Sequence, residues 1–381
     1  MKADAKVRIF FNYPNFFNKI SQKSAKRRHN NKLKCKFLGY RGSVTVINTT
    51  IMTDISVKYL GLELKSPFIA ASSGYTHNLE KIVALARSGA GAIVLKSLFE
   101  EQINNEISFL EEVSADYAEN QDFLQHYVKE HSLDNYVQLI KDAKREAGVP
   151  IIASINCYSL NSWTEFAKEI EKAGADALEV NIYNIPLNGC KSSTDIEAGY
   201  CKIVGSITHG IKIPVAVKIA DHFTNLGNFI SSLQGHGARG AVLFNRFYTP
   251  DISLKNLKIV PASPFSSKAE YLKELRWIAL LSPVLRNFSL SASTGVYDPS
   301  SAIKLILAGA DTVQLCSVLY KQGPFVLQDF NRELKHFMKS KGFKKISDFR
   351  GMLNYANISN PQSFERVQFL KTAEQYSKGV K

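Results

Sequence analysis

The chain has 381 residues, 45% of them hydrophobic and 22% charged, which fits one large or two smaller globular domains and excludes a low-complexity or fibrous chain. Its formal charge is +14, but residues 1–51 carry 12 Lys/Arg against one Asp and supply +11 of it, so the remainder stands near balance at +3. A uniform nucleic-acid-binding face is therefore not expected.

Residues 1–51 include KSAKRRHNNKLKCK (23–36) and show no sustained period. Three readings compete: a basic arm for nucleic acid or membrane, a transit peptide, and a disordered extension translated from upstream of a start at Met52. The extension is the preferred reading, because the segment is acid-poor without being Arg- or Ser-rich in the transit-peptide manner. No apolar run reaches 18 residues, so no membrane span is expected. Five cysteines (Cys35, Cys157, Cys190, Cys201 and Cys316) form no CxxC pair and no zinc-type Cys/His cluster. That pattern points to a reducing compartment, and a cytoplasmic location is expected.

The chain then reads as a hairpin, ISVKYLGLELKSPF (55–68), whose apolar alternation flanks Gly61 and would plug the bottom of a barrel. After it a unit repeats. SGAGAIVL (88–95), AGADALEV (173–180), HGARGAVL (236–243) and AGADTVQL (308–315) each place a small-Gly-Ala turn before an apolar run. The Gly suits a left-handed helix cap and the run suits a strand. Between these lie PFIAASSG (67–74), PIIASINC (150–157), PVAVKIA (214–220) and NFSLSAS (287–293). Helical stretches are expected at 78–88, 133–147, 161–173, 197–209, 224–235, 268–281, 298–308 and 324–340. Strands this apolar, alternating with helices, belong to a parallel sheet buried on both faces. A doubly wound sheet is the competing arrangement; eight units with a fourfold βαβα repeat favour an α/β fold of the (β/α)8 TIM-barrel type. The expected organisation is a basic extension over 1–51, a barrel over 52–345 and a helical tail over 346–381. Two loops are long. Residues 98–132 suit a surface helix or lid, and 247–267 suit a small hairpin.

Catalytic groups of such a barrel lie where its strands end. Those ends supply Ser73 and Gly74, Lys96 and Ser97, Asn156, Asn181, Lys218, Asn245 and Arg246, Gly295, then Cys316 and Ser317. Two lysines at the ends of buried strands need an anion or polar ligand, and no strand end carries an acid that would pair with them. Two cations with three amides suit an electron-rich heterocycle bearing carbonyls and ring nitrogens. SASTG and Cys316-Ser317, after the seventh and eighth strands, suit a phosphate held by backbone N–H groups, with Gly295 permitting close approach.

In this order, ASSG, LKS, EVN, AVKIA, FNR, STG and GADTVQLCS…YKQGP resemble the class 1 dihydroorotate dehydrogenases from about Met52 to Phe343. The resemblance implies FMN across the top of the barrel. It places Ser73, Lys96, Ser97, Asn181 and Lys218 against the flavin, and Gly295, Cys316 and Ser317 at its phosphate. It places Lys96, Asn181 and Asn245 against a dihydropyrimidine. Gly74 and Asn156 complete the cofactor set, and Arg246 is a candidate for an anionic substrate. The alternative for Arg246 is a salt bridge to Glu100 or Glu101. Lys218 or Lys96 would supply the cation that stabilises reduced flavin.

Two positions depart from the family pattern. The loop after the fourth strand reads Asn181-Ile182-Tyr183-Asn184-Ile185-Pro186, so Asn184 stands where the family carries its Cys or Ser base. An amide cannot act as that base. Cys190 and Tyr183 are the remaining candidates, against an ordinary loop cysteine and an aromatic that packs on the flavin. Further, no Asn-x-x-Gly-x-x-Asn run lies between Ser97 and Leu133; Asn104 and Asn105 sit among acids.

The leading expectation is an FMN-dependent oxidoreductase acting on CH–CH bonds, dihydroorotate to orotate in pyrimidine biosynthesis. The alternatives are another dihydropyrimidine or small unsaturated substrate, a phosphate-binding lyase or isomerase without flavin, and a flavin-binding protein with little catalysis. The expected partner is a small-molecule substrate, with neither nucleic acid nor membrane and no metal. A homodimer is among the assemblies the resemblance implies.

Overall fold

A computed structural model describes residues 53–100, 121–156, 160–183, 185, 189–246 and 249–365, with no account of side chains at 121–132 and 160–162. These residues belong to one compact unit that spans Ile51–Lys381. The basic segment 1–51, most of the 98–132 loop, Cys157 and Asn184 lie outside the described residues.

The chain enters through β1 (Val57–Tyr59) and β2 (Leu62–Leu64), an antiparallel pair. Leu60 and Gly61 between them have φ of 55° and 88°, as a two-residue hairpin of the primed type requires. The Leu60 N–H donates to Ser289 Oγ at 3.0 Å, and Ser289 opens a barrel strand, so the hairpin closes the N-terminal end as expected.

The strands that follow are β3 (Phe68–Ala70), β4 (Ala92–Val94), β5 (Leu98–Phe99), β6 (Ile151–Asn156), β7 (Ala177–Asn181), β8 (Val215–Ile219), β9 (Gly240–Leu243), β10 (Pro250–Ser253), β11 (Lys258–Pro261), β12 (Ser289–Ser293) and β13 (Thr312–Leu315). β10 and β11 form the expected small hairpin. The parallel ladder runs β4-β3-β13-β12-β9-β8-β7-β6 and closes through Ile93↔Ile151 and Val94↔Ile152 of β4 and β6. This is a (β/α)8 barrel. Around it lie α1 (Leu79–Arg87), α2 (Gln121–Glu146), α3 (Leu160–Lys172), α4 (Ser193–Gly210), α5 (Leu226–Gly235), α6 (Tyr271–Leu281), α7 (Pro299–Ala308), α8 (Ser317–Gln322) and α9 (Val326–Lys341). α4 begins before its expected start because Ser192 and Asp195 form a capping box, which satisfies two of the helix's first N–H groups.

The repeated turn explains the regularity. Gly89, Gly174, Gly237 and Gly309 have φ of 95°, 91°, 94° and 123°, a region that costs a side chain but not glycine. In two of the repeats the following Asp clamps the neighbouring strand. Asp176 Oδ2 accepts from the Ile151 N–H at 2.7 Å, and Asp311 Oδ2 from the Leu290 N–H at 2.8 Å. In the first repeat the position two beyond the cap is Gly91, where a Cβ would stand 1.9 Å from the Ser66 carbonyl oxygen. Gly91→Ala is expected to lower stability by about 2–4 kcal/mol, because rigid backbone must move. Chemical denaturation measures this, and an unchanged midpoint would refute it.

Where a helical tail is expected, residues 346–365 form two 3-10 turns, Ile346–Asp348 and Pro361–Phe364, joined by further turns. They pack on the barrel's helices. The Leu353 N–H donates to the Leu307 carbonyl at 2.9 Å, Arg350 pairs with Asp311 at 2.8 Å, and Phe349 stacks on Phe343. Among the described residues no helix is long and apolar enough to cross a membrane, and no group of His, Cys, Asp or Glu is placed to hold a metal ion.

Candidate active site

At the C-terminal end of β4 the ladder is irregular. Val94 pairs with Ile152 and Leu98 with Ile155, so three residues oppose two. This bulge carries Lys96 and Ser97, and bulges re-aim side chains beside active sites. Tyr136 of α2 fills the gap it leaves: its hydroxyl accepts from the Ser154 N–H at 2.8 Å and donates to the Ser154 carbonyl at 3.1 Å. Ser97 Oγ lies 2.8 Å from Ser154 Oγ and 3.1 Å from Ser72 Oγ, a hydroxyl chain that fixes the rotamer of Ser97. Lys96 has no ion-pair partner among the described residues and is half-buried. Asn156 ends β6, also half-buried.

β7 and β8 carry the densest polar group. Asn245 Nδ2 donates to Asn181 Oδ1 at 2.8 Å. Both N–H bonds of the Asn181 amide and the Asn245 carbonyl are thereby left to address a ligand, a donor–acceptor edge that matches an imide. Asn181 and Lys218 face each other in the ladder. Lys218 is 7% exposed, and its Nζ lies 3.5 Å from Gln314 Oε1 and 3.9 Å from Glu179 Oε1. The expectation that no acid pairs with these lysines is thus corrected for Lys218. Glu179 precedes Asn181 by two residues, and a strand's period of two puts both on the same inner face, Glu179 one layer deeper. Neither Glu179 nor Gln314 stands at a strand end, so neither carries the positional signal that marks the other site residues in the sequence.

The turn after β12 has Thr294 at φ 87° and Gly295 at 74°. A non-Gly residue is held there by the bond from Thr294 Oγ1 to the Phe244 carbonyl at 3.1 Å. Gly295 does permit a close approach, but of a different partner: a Cβ there would stand 2.3 Å from the Tyr271 nitrogen at the start of α6. Ser266, not singled out from the sequence, joins the two turns. Its Oγ accepts from the Gly295 N–H at 3.3 Å and donates to Ser317 Oγ at 3.1 Å. Burial pushes the Cys316 thiol up, against the Lys218 charge, so it stays protonated. Ser73 caps the short turn Gly74–Thr76 through a bond from the Tyr75 N–H, and Gly74 lies under the Tyr320 hydroxyl.

The remaining candidates make contacts with other partners. Arg246 pairs with Glu270 at 3.1 Å and donates to the Pro264 and Ser263 carbonyls at 3.1 and 3.2 Å. Its partner among the described residues is Glu270, while Glu101 lies outside them, and its guanidinium ties down the loop carrying Ser266. Tyr183 is half-buried, edge-on to the His222 ring at a centroid distance of 5.8 Å. Burial, with the Asp221 charge, holds its phenol above the ordinary value. Cys190 is exposed, just before the Ser192 cap of α4. A cavity of about 670 Å³ lies at the opposite end of the barrel, lined by Leu60, Lys212, Arg239 and Ser289 among others, and shares no residue with the cluster.

A (β/α)8 barrel with cations and amides gathered at its C-terminal mouth has the layout of a barrel enzyme, whose site lies at that face. The family model described as dihydroorotate dehydrogenase matches residues 54–338, and the chain belongs to that family of oxidoreductases. It is 26% identical over 307 residues to the catalytic subunit of dihydroorotate dehydrogenase B (NAD(+)) from Thermoplasma volcanium, covering 79% of this chain and 99% of that protein. It is 22% identical over 333 residues to the NAD-dependent dihydropyrimidine dehydrogenase subunit PreA of Escherichia coli, covering 82% of this chain and 80% of that protein. With the chloroplastic dihydropyrimidine dehydrogenase (NADP(+)) of Arabidopsis thaliana it shares 25% identity over 333 residues, 78% of this chain and 76% of that protein.

Proposed function

We propose that the chain is an FMN-dependent oxidoreductase of the C5–C6 bond of a dihydropyrimidine, with dihydroorotate, oxidised to orotate, as the first substrate. The observation that carries this reading is the joining of Asn181, Asn245 and Lys218 at one end of the barrel, with Lys96 on a bulge beside them. The donor set fits a flavin: the Asn181 amide for its imide, hydroxyls at Ser73 and Ser97, and the Lys218 cation for the charge of its reduced pyrimidine ring. Asn156 and Gly74 complete the ring's surroundings in this reading. Gly295, Cys316 and Ser317 would hold the phosphate, with the Ser266 hydroxyl yielding its bonds to Gly295 and Ser317.

When bound, FMN supplies a two-electron acceptor for the hydride leaving C6. The chain's own residues do the rest. Asn181 and Asn245 orient the dihydropyrimidine ring, Lys96 faces its carbonyl or carboxylate, and Lys218 stabilises the negative charge that builds on the acceptor side. The C5 proton goes to the loop after β7. Cys190, exposed at the loop's far end, is the candidate acceptor as its thiolate, and Tyr183, two residues past Asn181 and held in its phenol form by burial and the Asp221 charge, is a candidate to relay the proton.

A second reading, an uncharged dihydropyrimidine, is favoured by one observation: the Arg246 guanidinium is committed to Glu270 and two carbonyls, not to a substrate carboxylate. Purified protein should be yellow, absorbing at about 450 nm. A colourless protein that ignores added FMN would sink both readings. Anaerobic dihydroorotate should bleach the flavin; bleaching by dihydrouracil alone would leave only the second.

A further inference from the structure

The buried core beneath the amide edge holds a group that the reading above does not use. Glu179 is 1% exposed. Its Oε2 accepts from Gln314 Nε2 at 2.6 Å, while its Oε1, 3.9 Å from Lys218 Nζ, has no hydrogen bond. Gln314 in turn offers its carbonyl to Lys218 Nζ at 3.5 Å. Three strands, β7, β8 and β13, thus place a carboxylate, an amide and an ammonium in one closed triangle. A buried carboxylate with one oxygen unsatisfied is costly unless a cation answers it, and a buried ammonium has the same need. Each justifies the other only if both are charged.

We propose that Glu179 is a positioning residue for Lys218: it keeps the Lys218 ammonium charged in the core, and Gln314 bridges the two and aims the amine at the mouth of the barrel. Among the described residues, three titratable groups face this pair. Tyr59 from the hairpin and Tyr136 from α2 lie within electrostatic range of Glu179, and Cys316 lies within range of Lys218. Burial raises all three above their ordinary values, which favours their neutral forms. The target of the amine, a flavin, rests on the proposed function; the charge relation between Glu179 and Lys218 does not.

The test is a titration of the full chain, selectively labelled with carbon-13 at lysine Cε and studied by NMR without FMN, with Lys218 assigned from its loss in Lys218→Met. Glu179→Gln should lower the pH at which Lys218 loses its proton by about one to three units, the effect of an opposite charge at this range. The exchange Glu179→Gln with Gln314→Glu moves the carboxylate to the other corner of the triangle and should restore the wild-type titration. A purely structural role predicts no shift in either protein. Unchanged titration in Glu179→Gln overturns the proposal. Should that variant fail to fold, a lowered titration in the folded exchange variant overturns it. A second readout uses the FMN-loaded protein: the pH above which flavin affinity falls should move down in Glu179→Gln by the same amount. A wild-type protein that binds no FMN refutes the functional reading and leaves the apo titration standing.

Discussion

Lys218→Ala is expected to reduce flavin-dependent turnover by roughly 10²–10³-fold, the usual cost of removing one preorganised group at a site of developing charge. The prediction has a second component. Lys218 is the cation nearest the unsatisfied Oε1 of Glu179, at 3.9 Å. Its removal leaves a buried charge uncompensated, which in comparable cases costs about 3–5 kcal/mol of stability. The two losses separate in the double variant. Lys218→Ala with Glu179→Gln removes the stranded charge and should recover most of the stability, yet stay as slow as the single variant. Denaturant midpoints and anaerobic reduction rates are the measurements. Turnover that returns with stability would mean Lys218 is only a structural partner, and wild-type turnover in the single variant would remove it from the site altogether.

How far the sequence carried the fold follows from a backbone demand. The four small-Gly-Ala turns each need a residue at positive φ between a helix and a strand, and only glycine meets that need at no steric cost. Such a requirement is written residue by residue, so four strands were readable from it, and the apolar runs between the repeats gave the other four. The hairpins about Gly61 and at 250–261 were readable for a similar reason, since alternation fixes a face. The site was only half legible. Strand ends are visible in a sequence, and they yielded Lys96, Asn181 and Lys218. What those ends touch depends on ring closure. Gln314 reaches Glu179 across 135 positions of chain and Asn245 reaches Asn181 across 64, which no local pattern announces. Arg246 and Glu270 show the same limit: an arginine at a strand end looks available until the long loop after β9 folds back and brings Glu270 to it. The bulge of Lys96 was hidden too, because it exists only in the pairing of β4 and β5 with β6.

Glu274→Gln is expected to stabilise the protein at neutral and alkaline pH and to flatten its stability against pH. Glu274 is 2% exposed on α6, and its Oε2 makes no hydrogen bond. Burial pushes its carboxyl up to about 8; Lys273 works against that shift, while Glu270 and Asp221 add to it. Lys273 is itself engaged by Asp221, so it is a weak counter-charge for Glu274. The sign follows from proton binding. The folded state holds the Glu274 proton up to about 8, whereas an unfolded glutamate releases it near 4.5. Between those values the native state binds more protons than the unfolded one, so stability is greatest below the lower value and falls as pH rises towards the upper. The loss amounts to a few kcal/mol, on the order of 2–5, and is complete above the folded value. Glutamine keeps the shape and removes the titration. Its melting temperature should match the wild type near pH 4.5, where the wild-type carboxyl is protonated in the fold, and exceed it by several degrees at pH 8.5. Parallel melting curves for the two proteins across that range would show Glu274 to be ionised in the fold at all of these pH values. Its burial would then be offset by a partner that the geometry of α6 does not display.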